Sequence, residues 1–154
     1  MNKNLKNVNR AVKENLRIYL TPYKMLTDAI NIKNGFIINI AVYFEIINLP
    51  GTNSNEVLLR CIDVVRKHFN IDLWQFGEPI TINKITVKLA NTEGVQSVTD
   101  VRIEDRWRST QGYSGNKYDI ETATKNGIIY PAIDPSIFEL KYPNRDIIGK
   151  ITTY

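Results

Sequence analysis

The feature that most constrains this fold is residues 36–47, where apolar side chains recur at every second position without a break. Phe36, Ile38, Ile40, Val42, Phe44 and Ile46 fall on one face, and Ile37, Asn39, Ala41, Tyr43, Glu45 and Ile47 on the other. Successive strand residues point to opposite sides of a sheet, so the first face is wholly apolar and the second mixed. That is the pattern of a strand in a sheet covered by helices on one side only. Pro50-Gly51 breaks the run. It is too short to span a bilayer and carries Asn39 and Glu45, and residues 1–13 lack the apolar core of a signal peptide. The chain therefore reads as soluble, with no membrane contact expected.

The strand needs helices to cover it, and the next segment supplies one. Asn53 followed by Glu56 is a variant of the capping box. Leu58, Cys61, Ile62, Val65 and Phe69 then form a buried stripe, with Arg60, Asp63, Arg66 and Lys67 outside. Beyond the turn Gly77-Glu78-Pro79-Ile80 the pattern is ambiguous. Ile82, Ile85 and Leu89 have helical spacing, whereas Ile85, Val87 and Leu89 alternate as in a strand. Residues 95–104 read as a second strand with Thr99, Val101 and Ile103 on one face, and residues 137–142 and 147–153 as two more. Pro131 and Pro135 keep the chain before them extended. The fold class predicted is α+β: a small mixed or antiparallel sheet with two to three helices packed on one face.

Two segments do not fit that frame. Leu5, Val8, Val12 and Leu16 recur at three- and four-residue steps beside a stripe of Lys3, Lys6, Arg10, Lys13 and Arg17. This predicts an amphipathic basic helix ending near Leu20, since Pro22 disfavours helical geometry at Thr21. Its apolar seam either packs on the domain or docks on a partner chain or a preceding segment. The other segment, residues 105–126, loses hydrophobic periodicity and is rich in Gly and Ser, yet holds Trp107, Tyr113 and Tyr118. It predicts a long irregular arm whose aromatics either pack on their own domain or meet a partner, because such rings bury much area at low entropy cost. The predicted organisation is residues 1–33 as helix and lead-in, then residues 34–154 as a single domain.

Charge follows the same division. Residues 1–33 carry seven Lys or Arg against two acids, a net of +5, which leaves −1 for the rest of a chain whose total is +4. The basic character thus belongs to the N-terminal segment, against a nucleic-acid surface spread over the domain. Arg102, Arg106, Trp107 and Arg108 are the one basic-aromatic knot, interrupted by Glu104 and Asp105. Stacking and phosphate contact make nucleic-acid binding through this knot and the N-terminal helix the alternative reading. Arg and Trp also dominate protein–protein hot spots, the reading preferred. The candidate interface is Leu5, Val8, Val12, Leu16, Arg106, Trp107, Arg108, Tyr113 and Tyr118.

Catalytic residue sets are lacking. With one Cys and one His, Cys61 and His68, no tetrahedral zinc set exists. The two sit seven positions apart on the predicted helix, about 10 Å along its axis, so His68 cannot act as base for the thiol. Cys61 reads as a small core residue, and His68 as an exposed helix C-terminal position favoured by the dipole. No phosphate-cradling glycine loop or nucleophile elbow is present, and nothing selects a carboxylate pair. No cofactor, metal, small-molecule substrate or enzymatic activity is expected.

Several segments taken together resemble a known family. Asn15-Leu16 with Tyr19-Leu20, and Tyr23-Lys24-Met25-Leu26-Thr27-Asp28-Ala29-Ile30-Asn31-Ile32, are similar to the lead-in to the C-terminal domain of T4-type phage baseplate wedge proteins, within the broader baseplate-J-like family of contractile tails. So are Asn53-Ser54-Asn55-Glu56-Val57-Leu58-Leu59, Gly77-Glu78-Pro79-Ile80 and Glu93-Gly94-Val95-Gln96-Ser97-Val98. Tyr118-Asp119-Ile120, Ile129-Tyr130-Pro131-Ala132-Ile133-Asp134-Pro135 and Phe138-Glu139-Leu140-Lys141-Tyr142-Pro143-Asn144 complete the series, which covers the chain from about Asn15 on. The resemblance implies an α+β domain in a virion baseplate, made in the host cytoplasm, whose partners are copies of itself and other baseplate proteins. It also implies a helix at residues 82–89. Wedge proteins are several times longer and match here through their C-terminal portion, so it further implies a fragment or a split or shortened product without the rest of the ring-forming scaffold.

Overall fold

A computed structural model describes residues 4–23, 34–132 and 135–152. The protein is α+β. In chain order its elements are α1 (Arg10–Leu20), a 3₁₀ turn (Thr21–Tyr23), β1 (Phe36–Asn48), α2 (Ser54–His68), β2 (Ile80–Thr81), α3 (Ile82–Ala90) and β3 (Val95–Asp105). They continue with a 3₁₀ turn (Ser109–Gln111), α4 (Ile120–Ala123), β4 (Thr124–Lys125), β5 (Ile128–Ile129), β6 (Ser136–Glu139), α5 (Pro143–Asp146) and β7 (Ile147–Ile151).

The alternating run is the centre of the main sheet. β3 pairs antiparallel along one edge of β1, from Ile40 opposite Asp105 to Asn48 opposite Val95. Two short parallel strands share the other edge end to end: β6 against Phe36 to Asn39, and β7 against Val42 to Ile46. The apolar face expected for β1 is buried, with Ile38, Ile40, Val42, Phe44 and Ile46 in the core. Val57, Cys61 and Val65 of α2 and Ile85 and Leu89 of α3 join them. α2 lies over β7 and α3 over β3, so helices cover this face. Asn53 caps α2 by accepting from the backbone N–H groups of Asn55 and Glu56. The segment ambiguous in sequence is helical, with Ile85 and Leu89 buried and Val87 exposed.

Two glycines are required by close packing. A Cβ on Gly149 would meet the Phe44 ring at 2.4 Å and Leu58 Cδ1 at 2.6 Å. Gly94 has φ +92°, and a Cβ there would meet Val57 Cγ2 at 2.5 Å. Left-handed backbone with no room for a methyl group explains the glycine before Val95.

The structure corrects several local expectations. In β3, Val98 pairs with Ile46 and Val101 with Phe44, so the register shifts at Thr99. Thr99 turns outward, its Oγ1 donating to the Glu45 carbonyl, and Val98 takes the expected place on the apolar face. The extra residue is a bulge, which reverses side-chain alternation locally. The strand expected over residues 137–142 stops at Glu139, because Pro143 begins a helical turn. The strand expected over residues 147–153 runs from Ile147 to Ile151, and Thr153 lies outside the described residues. The N-terminal helix starts at Arg10 and not near Leu5, since Asn9 accepts from Val12 N–H as its N-cap. Lys3, the segment 24–33 that includes the expected domain boundary, and Ile133-Asp134 lie outside the described residues.

A second sheet is absent from the sequence reading. β4 and β5 form a hairpin, and β2 pairs with β5. Asn126 and Gly127 connect the strands, both at positive φ, 54° and 74°. Asn-Gly in a two-residue loop is the strongest short hairpin signal, and it was available at the end of the expected arm.

Candidate docking surface

The segment before α1 is tied to the domain by a buried polar relay. Glu139 accepts from Leu5 N–H through Oε2 at 2.6 Å, and from Asn39 Nδ2 through Oε1 at 2.8 Å. Asn39 Oδ1 in turn accepts from Ser114 N–H at 2.8 Å. Glu139 and Asn39 are both buried. Burial raises the Glu139 carboxyl above the ordinary range, opposed by the donors from Leu5 and Asn39 and by Lys141. Leu5 is therefore half-buried and held by its backbone, and Val8 N–H donates to Asn34 Oδ1. Neither belongs to the helical seam.

Beyond this anchor, α1 buries no residue. Val12 is 50% exposed, Leu16 44% and Tyr19 67%, with Leu20 and Tyr23 exposed beside them. Spaced at four, three, one and three residues, these side chains share one side of the helix. Among the described residues, the part of the seam that lies on α1 does not pack on the domain, whereas Leu5 is anchored there.

The expected arm is folded onto its own domain. Tyr113 is 7% exposed, and its hydroxyl lies 2.8 and 2.9 Å from the carboxylate oxygens of Asp146. Tyr142 stacks edge-on against it, and Arg145 covers both rings. Tyr118 meets Phe138 edge-on and donates from its hydroxyl to the Tyr130 carbonyl. Ser114 Oγ and Asn116 Nδ2 both donate to the Ile37 carbonyl, satisfying β1 where β3 no longer pairs with it. Tyr113 is thus an internal contact and not a projecting one, while Tyr118 is half-buried.

The basic-aromatic knot is also divided. Arg106 hydrogen-bonds Tyr43 and forms ion pairs with Glu104 and Asp146, both at 3.6 Å. Arg102 pairs with Glu104 at 3.4 Å and lies over the Tyr43 ring. Trp107, 37% exposed, keeps a surface role, flanked by Arg108 and Lys117 at cation–π distance.

Trp107 stands in the wall of a groove of about 770 Å³ beside β3. Val101, Ile103, Ile82 and Ile129 contribute apolar surface, Ile103 and Ile129 being buried, and Tyr118 and Ile120 add to it. Glu104, Asp105, Asp119 and Glu121 also line it, against Arg102 and Lys117, which makes its charge net negative by two. Burial raises the Asp105 carboxyl, while Tyr118 N–H, Lys117 and Arg106 lower it. Asp119 is held down by donors from Thr122. Sequence reasoning missed this groove, because its lining comes from five separate elements and the connecting arm.

The two chemically reactive side chains are in packed surroundings. Cys61 is fully buried, and burial pushes its thiol up to about 11. His68 is half-buried and not exposed as expected, set edge-on against Phe69 and Trp74. Lys88 Nζ donates to its Nδ1 at 2.9 Å. Burial, then Lys88 and Lys84, lower the ring to about 4, so it is neutral and makes no use of the helix dipole. Among the described residues, no three of His, Cys, Asp and Glu are placed to hold a metal ion. No helix among them is long and apolar enough to cross a membrane.

No protein-family model matches the chain, and no curated protein matches it in sequence.

Proposed function

We propose that this chain is a structural component of a contractile phage tail baseplate, the C-terminal portion of a wedge or ring subunit that acts through self-association and contacts with other baseplate proteins. The observation that carries the reading is α1, which presents Val12, Leu16 and Tyr19 to solvent while the domain behind it has a complete core. An apolar stripe left uncovered on a folded domain is the mark of a surface that another chain completes. The ordered motifs from Asn15 to Asn144 support the assignment to a baseplate, and with it a place in the virion.

The reading is tested by light scattering over a wide concentration range. A dimer or larger species that grows with concentration is expected. A strictly monomeric profile at the highest concentration would count heavily against it.

A further inference from the structure

We propose that α1 of one copy of this chain lies in the groove beside β3 of a second copy. The inference rests on the self-association reading above and names its two surfaces. α1 offers Val12, Leu16 and Tyr19 on one side, with Arg10, Lys13 and Arg17 against a single acid, Glu14, for a net charge of +2. The groove offers Val101, Ile103, Trp107 and Ile120 with a net charge of −2. An amphipathic helix laid into an apolar groove is a recurring mode of recognition. Here a basic helix and an acidic groove occur in the same sequence, and opposite fields favour that docking over like-to-like contact of two helices.

The geometry explains why the helix is left over. Hydrogen bonding of Leu5 N–H to Glu139 holds the chain at β6, across β1 from β3, just before α1 begins. From there α1 buries nothing on its own domain and is free to reach a neighbour. Helix and groove are different surfaces, so each copy uses both: copies either exchange helices in a closed two-fold pair or add head to tail through a heterologous contact.

The test is sedimentation of charge-reversed chains. One carries Arg10→Glu, Lys13→Glu and Arg17→Glu; the other carries Glu104→Lys and Glu121→Lys, sparing Asp119, which caps α4. Each alone is expected to associate at least about tenfold more weakly than the unaltered chain, and an equimolar mixture to recover a mixed species. Leu16→Asp, at a position that contributes nothing to the domain core, is expected to weaken association to a similar degree. If the unaltered chain associates but no variant changes it, the docking is overturned and self-association by another surface stands. If the unaltered chain is monomeric, both fall. In a chain carrying Leu16→Cys and Trp107→Cys, a disulfide that forms within a monomer would show α1 folding onto its own groove, and would also overturn the inference.

Discussion

The Tyr113 hydroxyl donates to Asp146, 33 residues further along the chain, and is the buried one of several contacts that tie the arm to the turn between β6 and β7. Asp146 is 2% exposed, and its second partner is Arg106. A buried carboxylate needs such donors, because removing them leaves it desolvated and unpaired. Tyr113→Phe is therefore expected to destabilise the protein by roughly 1–3 kcal/mol. Urea denaturation checks this: the midpoint should fall with the slope unchanged. No shift would mean that the arm is held by its other contacts alone.

Gly149 lies against Phe44 and Leu58 with no space for a methyl group. Gly149→Ala is expected to cost about 1–3 kcal/mol through overpacking, since both neighbours belong to or pack against the core. Thermal unfolding should show a lower midpoint with the same two-state shape. A variant as stable as the parent would show that β7 can move away from α2 at little cost.

The pH dependence of stability should carry a His68 component. Its native value is about 4, below the ordinary value of 6.5. As pH falls from about 6.5 to 4, the unfolded chain takes up a proton that the native ring refuses, so native stability declines across that window. Below about 4 the loss is complete. Allowing for the partial exposure of the ring, the loss is of the order of 1–2 kcal/mol. Comparing His68→Gln with the parent at pH 7 and pH 4.5 isolates it from carboxylate titration. Parallel curves would refute the neutral, packed imidazole.

Cys61 is expected to be unreactive toward thiol reagents in the native state, being buried with its thiol pushed up to about 11. One equivalent should react after unfolding in urea. Rapid labelling of the folded protein would show that α2 opens locally.

Elements with local signals were legible in the sequence. Asn53 announces α2 by its capping oxygen, and the stripe through Cys61 and Val65 orients it. The alternation over residues 36–47 identifies β1 and its buried face. Some errors fall where pairing or distant contacts decide, and two, the Asn9 cap and the Asn126-Gly127 turn, fall on local signals that were passed over. A bulge at Thr99 depends on the register between two strands, which neither strand encodes alone. The start of α1 was misplaced because apolar spacing continued through Leu5 and Val8, although Asn9 offered a cap. Within the arm, Tyr113 finds Asp146 and Ser114 finds Asn39 at separations that leave no periodic trace.

By itself the sequence determined the long strand β1 and the helix α2 that covers it, which face of that strand is apolar, and that positive charge gathers before residue 34. Those properties depend on neighbours within a turn or two and on the simple sum of charges. Only tertiary structure decided that Tyr113 turns inward, that Trp107 stays on a groove wall, and that the α1 seam is left uncovered. Burial is settled by which elements reach one another, and a residue carries no local record of the partners that the folded chain will bring to it.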